Sequence, residues 1–360
     1  MIRNRHYGLS EALKEVVVAK ILYLSCHSIL EFDEVALLTE LGHDVFSPGA
    51  YMNPEDPGDA SLRPGLFNLK YDEEDVRMWH ALHRQGKDNK ECLTKEFVDR
   101  FDLIIVMHLP KWVTINWPVM KHKPVIWRTI GQSISGNEAT LKPFRNNGLK
   151  IVRYSPRERT IPGYIGEDIL IRFYKDPEEY KGWTGEDANV VAFGQHMKRR
   201  DFACNFTAFE EATRPFPRKL YGPESENFDF GTGKVTYPEL KEAMKTNRCL
   251  WYAGTHPASV TLTWIEATMT GMPPVCVGKN LGNAKYFPGH ELYEIPYIVE
   301  NGVTGFVTDN ISEMQTYIKM LLNDHKFAQE ISKNVRAQAI ELFGKEKIAA
   351  QWKAYIETLV

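Results

Sequence analysis

The sequence has few cysteines and no long apolar run. Its 360 residues include five widely scattered cysteines, none of which forms a C-x-x-C pair. A disulfide framework and a thiolate zinc site are therefore not indicated, and a reducing compartment fits best. No stretch reaches the roughly 20 apolar residues of a membrane span, and the first twenty residues carry charges throughout, unlike a signal peptide. We expect a cytoplasmic protein without a transmembrane segment.

The chain also lacks a strong charge of either sign. Lys and Arg number 44 and Asp and Glu number 47, which gives a net charge of −3. This balance does not indicate a general electrostatic attraction to nucleic acid or anionic lipid, although it allows a local basic patch. The sequence has no D-x-D motif and no histidines at metal-ligand spacing, so it predicts no metal site. Its length predicts about two domains.

Short apolar runs alternate with helix-like segments in two series, which is typical of buried parallel strands. The predicted strands are Ala19–His27, Asp44–Phe46, Phe101–His108, Pro124–Ile130 and Leu149–Ser155 in the first series, and Asn189–Gly194, Arg218–Gly222, Arg248–Gly254 and Pro273–Gly278 in the second. The polar segment Ala50–Lys70, which contains Pro and Gly, is predicted to be an extended loop.

This alternation predicts an α/β fold of two Rossmann-like doubly wound domains that face a cleft. We place the first domain at residues 1–175, a linker at 176–188 and the second domain at 189–340. A terminal helix at 341–360 is expected to pack back on the first domain. A ligand should bind in the cleft, at the carboxyl ends of the strands.

The most informative segment lies between Tyr252 and Gly278. A strand and a loop are followed here by a helix that should run from about Ser259 or Thr261 to Thr270. The first turn of such a helix carries unpaired N–H groups and a partial positive charge, which suit a diphosphate.

Polar side chains accompany this helix. Thr255, Ser259 and Thr261 supply hydroxyl groups near its first turn. Glu266 lies one to two turns further along, where a carboxylate can accept two hydrogen bonds from vicinal hydroxyls such as those of a ribose. A solvent-exposed glutamate is the alternative interpretation.

Three consecutive cations form a second candidate site. Lys198, Arg199 and Arg200 follow the predicted strand that ends at Gly194, where a helix should begin. Together with the helix N–H groups they would neutralise a departing diphosphate, whereas the alternative is a solvated basic turn. Gly278 ends a later strand and would let the backbone approach a phosphate or sugar, unless it forms a plain turn.

The first series of strands contributes weaker candidates. His108 lies at the carboxyl end of an apolar strand, and Arg128 and Gln132 lie at the mouth of the next one. Arg128 would orient an acceptor or a phosphate, or else pair with an acid across the domain. Cys26 and His27 end the first strand, but adjacent strand residues point to opposite faces, so they do not predict a Cys–His nucleophile.

The second half of the chain resembles a known family. Glu266 begins the string E-A-T-M-T-G-M-P-P-V, which is followed by NGVTGFVTDN at 301–310 and by helices ending AIELFGKEKIAAQWKAYIETL. This ordered set is similar to the donor-binding half of retaining GT-B-fold glycosyltransferases of family 4, and it covers 189 to the C-terminus. The resemblance implies GT-B architecture, a nucleotide-diphospho-sugar donor, transfer with retention, and neither a metal ion nor a cofactor.

The resemblance also implies roles for individual residues. Glu266 matches the glutamate that binds the ribose diol, and His108 lies where the family often has a histidine that contacts the donor sugar. In the cationic loop Arg200 replaces the family's lysine and Gln195 its arginine. Ala258 stands where a second glutamate usually contacts the transferred sugar, so the identity of that sugar stays open.

These observations assign residues to three groups. The predicted catalytic residues are His108, Lys198 and Arg200; the predicted donor-binding residues are Gly194, Arg199, Thr255, Ser259, Thr261, Glu266 and Gly278; the predicted acceptor-side residues are Arg128 and Gln132.

The predicted activity is transfer of a hexose or pentose to the hydroxyl of a glycan, a lipid-linked molecule or a small molecule. One alternative acceptor is a modified pyrimidine base in DNA, as in some phage enzymes of GT-B fold, and the acidic balance disfavours it. A basic groove would favour that acceptor, and its candidate members are Lys111, Lys121, Lys123 and Arg128. A non-catalytic nucleotide-sugar-binding protein is a further alternative because of Ala258 and Gln195. A nucleotide-sugar epimerase of the same fold has no support in the N-terminal segment.

Overall fold

The structure is a computed structural model that describes residues 17–49, 71–84, 92–283 and 289–360. The predicted loop Ala50–Lys70 lies outside these residues. The described chain forms two parallel α/β domains.

The first domain contains six strands and five α-helices among the described residues. Its strands are β1 Lys20–Leu24, β2 Asp44–Phe46, β3 Leu103–Met107, β4 Val125–Arg128, β5 Lys150–Arg153 and β6 Ile169–Leu170. Its helices are α1 Ser28–Glu40, α2 Glu73–Arg84, α3 Lys95–Val98, α4 Pro110–Met120 and α5 Ser135–Arg145. The strands pair in parallel in the order β2-β1-β3-β4-β5-β6.

The second domain repeats this plan. Its strands are β7 Asp187–Phe193, β8 Arg218–Tyr221, β9 Gly231–Gly233, β10 Asn247–Tyr252, β11 Pro274–Val277 and β12 Phe306–Thr308. The helices that follow β7 are α6 Asp201–Cys204, α7 Phe206–Thr213, α8 Tyr237–Thr246, α9 Leu262–Thr270, α10 Lys279–Gly282, α11 Ile295–Ile298, α12 Ile311–Asn323, α13 His325–Phe343 and α14 Lys345–Ile356. The parallel order β12-β11-β10-β7-β8-β9 is that of a Rossmann sheet.

Both faces of the first sheet are buried, as a doubly wound fold requires. Alternate residues of β1 enter two different hydrophobic clusters, Ile21 and Tyr23 one and Leu22 and Leu24 the other. All of β3 is buried. A strand with both faces covered is apolar at every position, and this explains why such strands were predicted correctly.

Three short strands have no counterpart in the prediction. The strands β6, β9 and β12 contain two or three residues each and lie at the edges of their sheets. Such short runs carry no periodicity of their own; β2, which is equally short, was predicted because it follows a helical pattern that stops at Gly42. β7 begins at Asp187, inside the predicted linker 176–188.

The chain crosses from the first domain to the second near Lys175 and returns near Gly344, and the two crossings lie side by side. The Lys175 N–H donates to the Phe343 carbonyl oxygen at 3.0 Å, and Lys175 and Gly344 form a parallel bridge. After Gly344, α14 packs against α1 of the first domain, and Lys345 pairs with Glu40 of α1 at 2.8 Å. The predicted terminal helix 341–360 thus spans the end of α13 and all of α14.

Among the described helices, none is both long enough and apolar enough to cross a bilayer.

Candidate functional site

A cavity of about 620 Å³ opens at the carboxyl ends of β7 and β10. These neighbouring strands mark the point where the strand order of the second sheet reverses. A sheet of this kind leaves a crevice there because the chain leaves the two strands in opposite directions. Residues of the first domain, including Ile130 and Tyr154, form the opposite wall. The predicted position of the cleft is therefore confirmed.

Helix α9 begins at this cavity. The predicted boundaries are confirmed: Thr261 is the N-cap, and Gly271, with φ +104°, ends the helix in a left-handed conformation that glycine adopts readily. Thr261 and the first helical residues Leu262 and Thr263 line the cavity. The unpaired N–H groups and the positive end of the helix dipole therefore lie at the cavity wall, which suits an anion.

Glu266 lines the same cavity and is 6% exposed. Its Oε1 lies 2.6 Å from the Lys175 ammonium, and it accepts a hydrogen bond from the Tyr180 hydroxyl at 3.1 Å. A buried carboxylate is stable when cations and donors compensate its lost hydration. The side chain is thus a held carboxylate at the cavity wall and not the exposed glutamate of the alternative interpretation.

The predicted cationic loop brings one of its three cations to the cavity. Arg200 is the N-cap residue of α6, is half-buried, and lines the cavity. Arg199 is exposed and lies 3.5 Å from Glu224, and the Lys198 ammonium lies 5.3 Å from the centroid of the Phe228 ring. In the part of the chain that the structure describes, neither Lys198 nor Arg199 lines the cavity.

The predicted glycines occupy different places. Gly194 lines the cavity directly after β7, where its backbone is so closely packed that a Cβ would lie 2.5 Å from Met197. Gly278 does not line it. Its N–H donates to Thr308, and a Cβ there would meet Asp309 at 2.7 Å. Gly278 therefore serves close packing within the second domain.

Two of the three predicted hydroxyl residues line the cavity and the third does not. Thr255 and Thr261 line the cavity, and the Thr261 N–H donates to the Tyr252 hydroxyl at 3.0 Å. Ser259 is fully buried behind the cavity wall, where its N–H donates to the Gly131 carbonyl oxygen of the first domain at 3.0 Å. Within the described residues its Oγ has no hydrogen-bond partner.

On the first domain, Gln132 lines the cavity and Arg128 does not. Arg128 is fully buried: its Nε donates to Glu34 at 2.9 Å and its Nη1 to the Ile171 carbonyl oxygen at 2.6 Å. Its guanidinium lies 4.1 Å from the centroid of Phe173, which lines the cavity. Pairing with an acid, the alternative interpretation of Arg128, is what the structure shows.

His108 lies at the carboxyl end of β3, outside the residues that line the cavity. Its φ is +60°, and its N–H donates to the Arg128 carbonyl oxygen at 2.8 Å. Burial lowers the pKa of His108 to about 4, and Nδ1 has no hydrogen-bond partner among the described residues. The imidazole is therefore neutral at pH 7.

Several contacts join the two domains beside the cavity. The Tyr154 hydroxyl donates to the Val260 carbonyl oxygen at 3.3 Å, and the Ser155 hydroxyl donates to Glu294 at 2.6 Å. Arg172 also pairs with Glu294, which is buried. The segment that contains Ala258 is thereby packed against the first domain.

No family model matches this sequence, and no curated protein sequence matches it. Solved structures do. Sucrose-phosphate synthase from Thermosynechococcus elongatus matches with a TM-score of 0.64 at 14% identity, over 94% of this chain and 98% of that one. A glycosyltransferase from Rickettsia africae matches with a TM-score of 0.66 at 14% identity, over 95% and 98%. HepE from Anabaena, in complex with UDP-glucose, matches with a TM-score of 0.59 at 14% identity, over 95% and 100%.

These matches extend over both domains and both six-stranded parallel sheets. The chain has the GT-B fold. The GT-B cleft is the cavity described above, because it is the crevice between the two domains at the carboxyl ends of the second sheet.

Sequence reasoning missed four polar residues: two that line the GT-B cleft and two that hold Glu266 in place. His27 and Lys234 line the cavity, from the N-cap of α1 and from the turn after β9. Lys175 and Tyr180 hold Glu266 from the segment assigned to the domain boundary. The position of His27 at the end of the predicted strand Ala19–His27 was a usable signal, although β1 itself ends at Leu24 and His27 caps α1. The other three residues lie in segments without a motif.

The two positions at which this sequence departs from the resembled family also line the GT-B cleft. Ala258 and Gln195, where the resembled family has a glutamate and an arginine, are both part of the cavity wall. In the described part of the chain, no group of three or more His, Cys, Asp and Glu side chains is arranged to hold a metal ion.

Proposed function

We propose that the chain is a glycosyltransferase that moves a sugar from a nucleotide-diphospho-sugar to an acceptor hydroxyl, with retention of configuration and without a metal ion. The observation that carries this proposal is the convergence of Arg200, the N-terminus of α9 and Glu266 on one cavity between two domains. Cation, helix end and carboxylate are complementary to a diphosphate joined to a vicinal diol.

On the donor side, each group has a separate task. The Glu266 carboxylate accepts hydrogen bonds from the two ribose hydroxyls. The α9 N–H groups and the Thr261 hydroxyl bind phosphate oxygens, and Gly194 lets the backbone approach them. Thr255 extends this polar wall toward the sugar.

Arg200 acts on the leaving group. Cleavage of the anomeric bond places negative charge on the departing diphosphate and positive charge on the sugar ring. Arg200 is the cation of its loop that lines the cavity, and its planar guanidinium can pair two phosphate oxygens at once. Its contribution grows as the bond breaks, which is the condition for a catalytic effect. The departing phosphate then takes the proton of the acceptor hydroxyl.

Two solved structures of one neighbouring protein support a nucleotide-sugar donor. HepE from Anabaena is in complex with UDP-glucose in one solved structure and with UDP in another. At 14% and 15% identity these likenesses concern the fold, so the choice of UDP for this chain is part of the proposal.

The acceptor would bind against the first domain. That wall combines His27 and Gln132 with the aromatic rings of Tyr154 and Phe173. Aromatic rings with a few hydrogen-bonding groups suit a sugar or another ring-containing hydroxyl compound.

The four basic residues named for the alternative DNA acceptor do not contribute to the described part of the cavity wall. Arg128 is buried, and Lys111, Lys121 and Lys123 do not line the cavity, in the part of the chain that the structure describes. The non-catalytic alternative keeps one supporting observation, because Ala258 and Gln195 stand in the cavity wall.

The experiment has two stages. Thermal shifts against a panel of nucleotide-sugars identify the donor, because a ligand that binds only the folded protein raises its Tm. Nucleotide release is then measured with and without candidate acceptors, and NMR of the product determines its anomeric configuration. Acceptor-dependent release with a retained anomer supports the proposal. Tight donor binding without any release supports a binding protein, and an inverted anomer contradicts retention.

A further inference from the structure

Lys175 occupies an unusual place in the structure. It lies where the chain enters the second domain, and its backbone is held against the returning chain by the hydrogen bond from its N–H to the Phe343 carbonyl oxygen. Its side chain is 1% exposed. A lysine at a domain boundary is usually exposed, since burial removes the hydration of its ammonium.

The ammonium contacts one carboxylate from each domain. Nζ lies 3.0 Å from Asp33 of α1 and 2.6 Å from Glu266 of α9, and these two carboxylates are themselves buried. Glu266 lines the donor side of the cavity, whereas Asp33 lies outside the residues that line it. The three side chains form a buried bridge, Asp33–Lys175–Glu266, from the first domain to the proposed diol-binding carboxylate.

The contacts on Glu266 fix its orientation. The Lys175 ammonium and the Tyr180 hydroxyl both contact Oε1, and the Lys175 ammonium also lies 5.6 Å from the centroid of the Tyr180 ring. A carboxylate held in this way loses little rotamer freedom when a ligand binds, so more of its interaction with the ligand contributes to affinity. Removal of the ammonium would leave a buried carboxylate without its charged partner, free to turn away from this orientation.

We propose that Lys175 is a positioning residue for donor binding: anchored on Asp33 of the first domain, it holds the Glu266 carboxylate directed at the two ribose hydroxyls. Donor binding in the second domain is thereby coupled to the position of the first. This inference rests on the proposed function, because it assigns Glu266 to a ribose.

The test removes the Lys175 ammonium from the protein and the two ribose hydroxyls from the ligand, one at a time. The probe is whichever of UDP, ADP and GDP gives the largest thermal shift with the wild-type protein, together with its 2′,3′-dideoxy analogue. Calorimetry measures both dissociation constants, and their ratio reports the contribution of the diol. For the wild type we expect the dideoxy analogue to bind about 100-fold more weakly or worse, because it loses two hydrogen bonds to a charged acceptor.

Lys175→Met should reduce this ratio to about threefold or less, since a misdirected Glu266 no longer distinguishes the two ligands. Lys175→Arg, which keeps the charge, should restore most of the ratio. Lys345→Met is the matched control: Lys345 also bridges the domains, between Glu40 and Asp176, but the structure places no contact between it and Glu266. It should leave the ratio at the wild-type value.

The outcomes separate this inference from the proposed function. If no nucleoside diphosphate binds the wild type, or if the dideoxy analogue binds equally well, the assignment of Glu266 fails and this inference fails with it. If the wild-type ratio is large and Lys175→Met weakens both ligands equally, Lys175 is merely structural and the inference alone is overturned.

A second variant covers the case in which Lys175→Met does not fold. Asp33→Asn keeps both Lys175 and Glu266 and removes the charge that anchors the ammonium to the first domain. We expect it to lower the diol ratio by about threefold, although Asp33 lies outside the cavity wall. An unchanged ratio in folded Asp33→Asn overturns the coupling between the domains.

Discussion

The two walls of the GT-B cleft differ in their chemistry. The second domain contributes Arg200, Lys234, Glu266 and the N-terminus of a helix, so its wall carries both charges and directed N–H groups. The first domain contributes His27 and Gln132 among apolar and aromatic side chains. A wall with fixed charged groups is expected to select ligands of complementary charge. An apolar wall with few polar groups is expected to be less selective.

The difference extends to the residues behind each wall. Behind the charged wall, the Glu266 carboxylate is held by Lys175 and Tyr180. Behind the other wall, the buried guanidinium of Arg128 pairs with Glu34 and packs under Phe173. Buried ions thus orient the proposed diol-binding carboxylate on one side and support an aromatic surface on the other.

The largest expected effect comes from removing a charge from the wall that the second domain contributes. Glu266→Gln should raise the dissociation constant of the nucleoside diphosphate by about 100-fold, because each hydrogen bond to a charged acceptor contributes about 1.5–3 kcal/mol. Calorimetry measures this change. Glu330→Gln, an exposed glutamate of α13, is the matched control and should bind as the wild type does. Unchanged affinity in Glu266→Gln would remove Glu266 from the donor site.

The second prediction compares one buried histidine from each domain. Burial lowers the pKa of His108 and of His256 from 6.5 to about 4. Below pH 6.5 the unfolded chain takes up protons that the folded protein does not bind until about pH 4. Each histidine therefore contributes its whole stabilisation above pH 6.5, and this contribution is lost as the pH falls from 6.5 to 4. At pH 4.5 the free energy of unfolding should be lower by about 2 kcal/mol per histidine.

Denaturant unfolding between pH 7 and 4.5 tests this sign. His108→Asn removes one titrating group at a φ of +60°, which Asn tolerates, and should reduce the pH dependence by about half of the two-histidine total. The exposed Thr140 provides the control, since Thr140→Ala removes no titrating group and should keep the wild-type slope. A slope that does not change in His108→Asn contradicts the prediction.

The third prediction separates catalysis from binding within the charged wall. Arg200→Ala should lower kcat by about tenfold and change the donor dissociation constant by about twofold, because charge on the leaving group grows at the transition state. Steady-state kinetics and calorimetry measure the two quantities. Arg199→Ala, in the same loop but exposed, should change both by less than about twofold. Equal losses in Arg200→Ala would assign Arg200 to ground-state binding.

The smallest expected effect lies on the first domain. Gln132→Ala should raise the KM for the acceptor by about threefold, the size of one neutral hydrogen bond, and leave hydrolysis of the donor unchanged. Thr140→Ala, exposed on α5, is the control. If Gln132→Ala weakened donor binding as much as acceptor binding, the proposed division between the two walls would be wrong.

The candidate site was partly predictable from the sequence. Thr261, Gly271 and Glu266 belong to one helix whose boundaries follow from local signals, so their positions relative to one another were known in advance. The loop with Lys198, Arg199 and Arg200 was also found, but which cation reaches the cavity depends on how α6 packs. A run of three cations has no local feature that distinguishes its members.

The sequence by itself determined the α/β architecture, because strands buried on both faces are apolar throughout and helices repeat every 3.6 residues, and both patterns are local. It also determined the helix that bears Glu266. Only the tertiary structure decided that Arg128 is buried against Glu34, that Gly278 serves packing, and that Lys175 joins Asp33 to Glu266. Those contacts join residues from 31 to 142 positions apart. Their formation depends on how whole sheets and domains meet, about which no short stretch of sequence carries information.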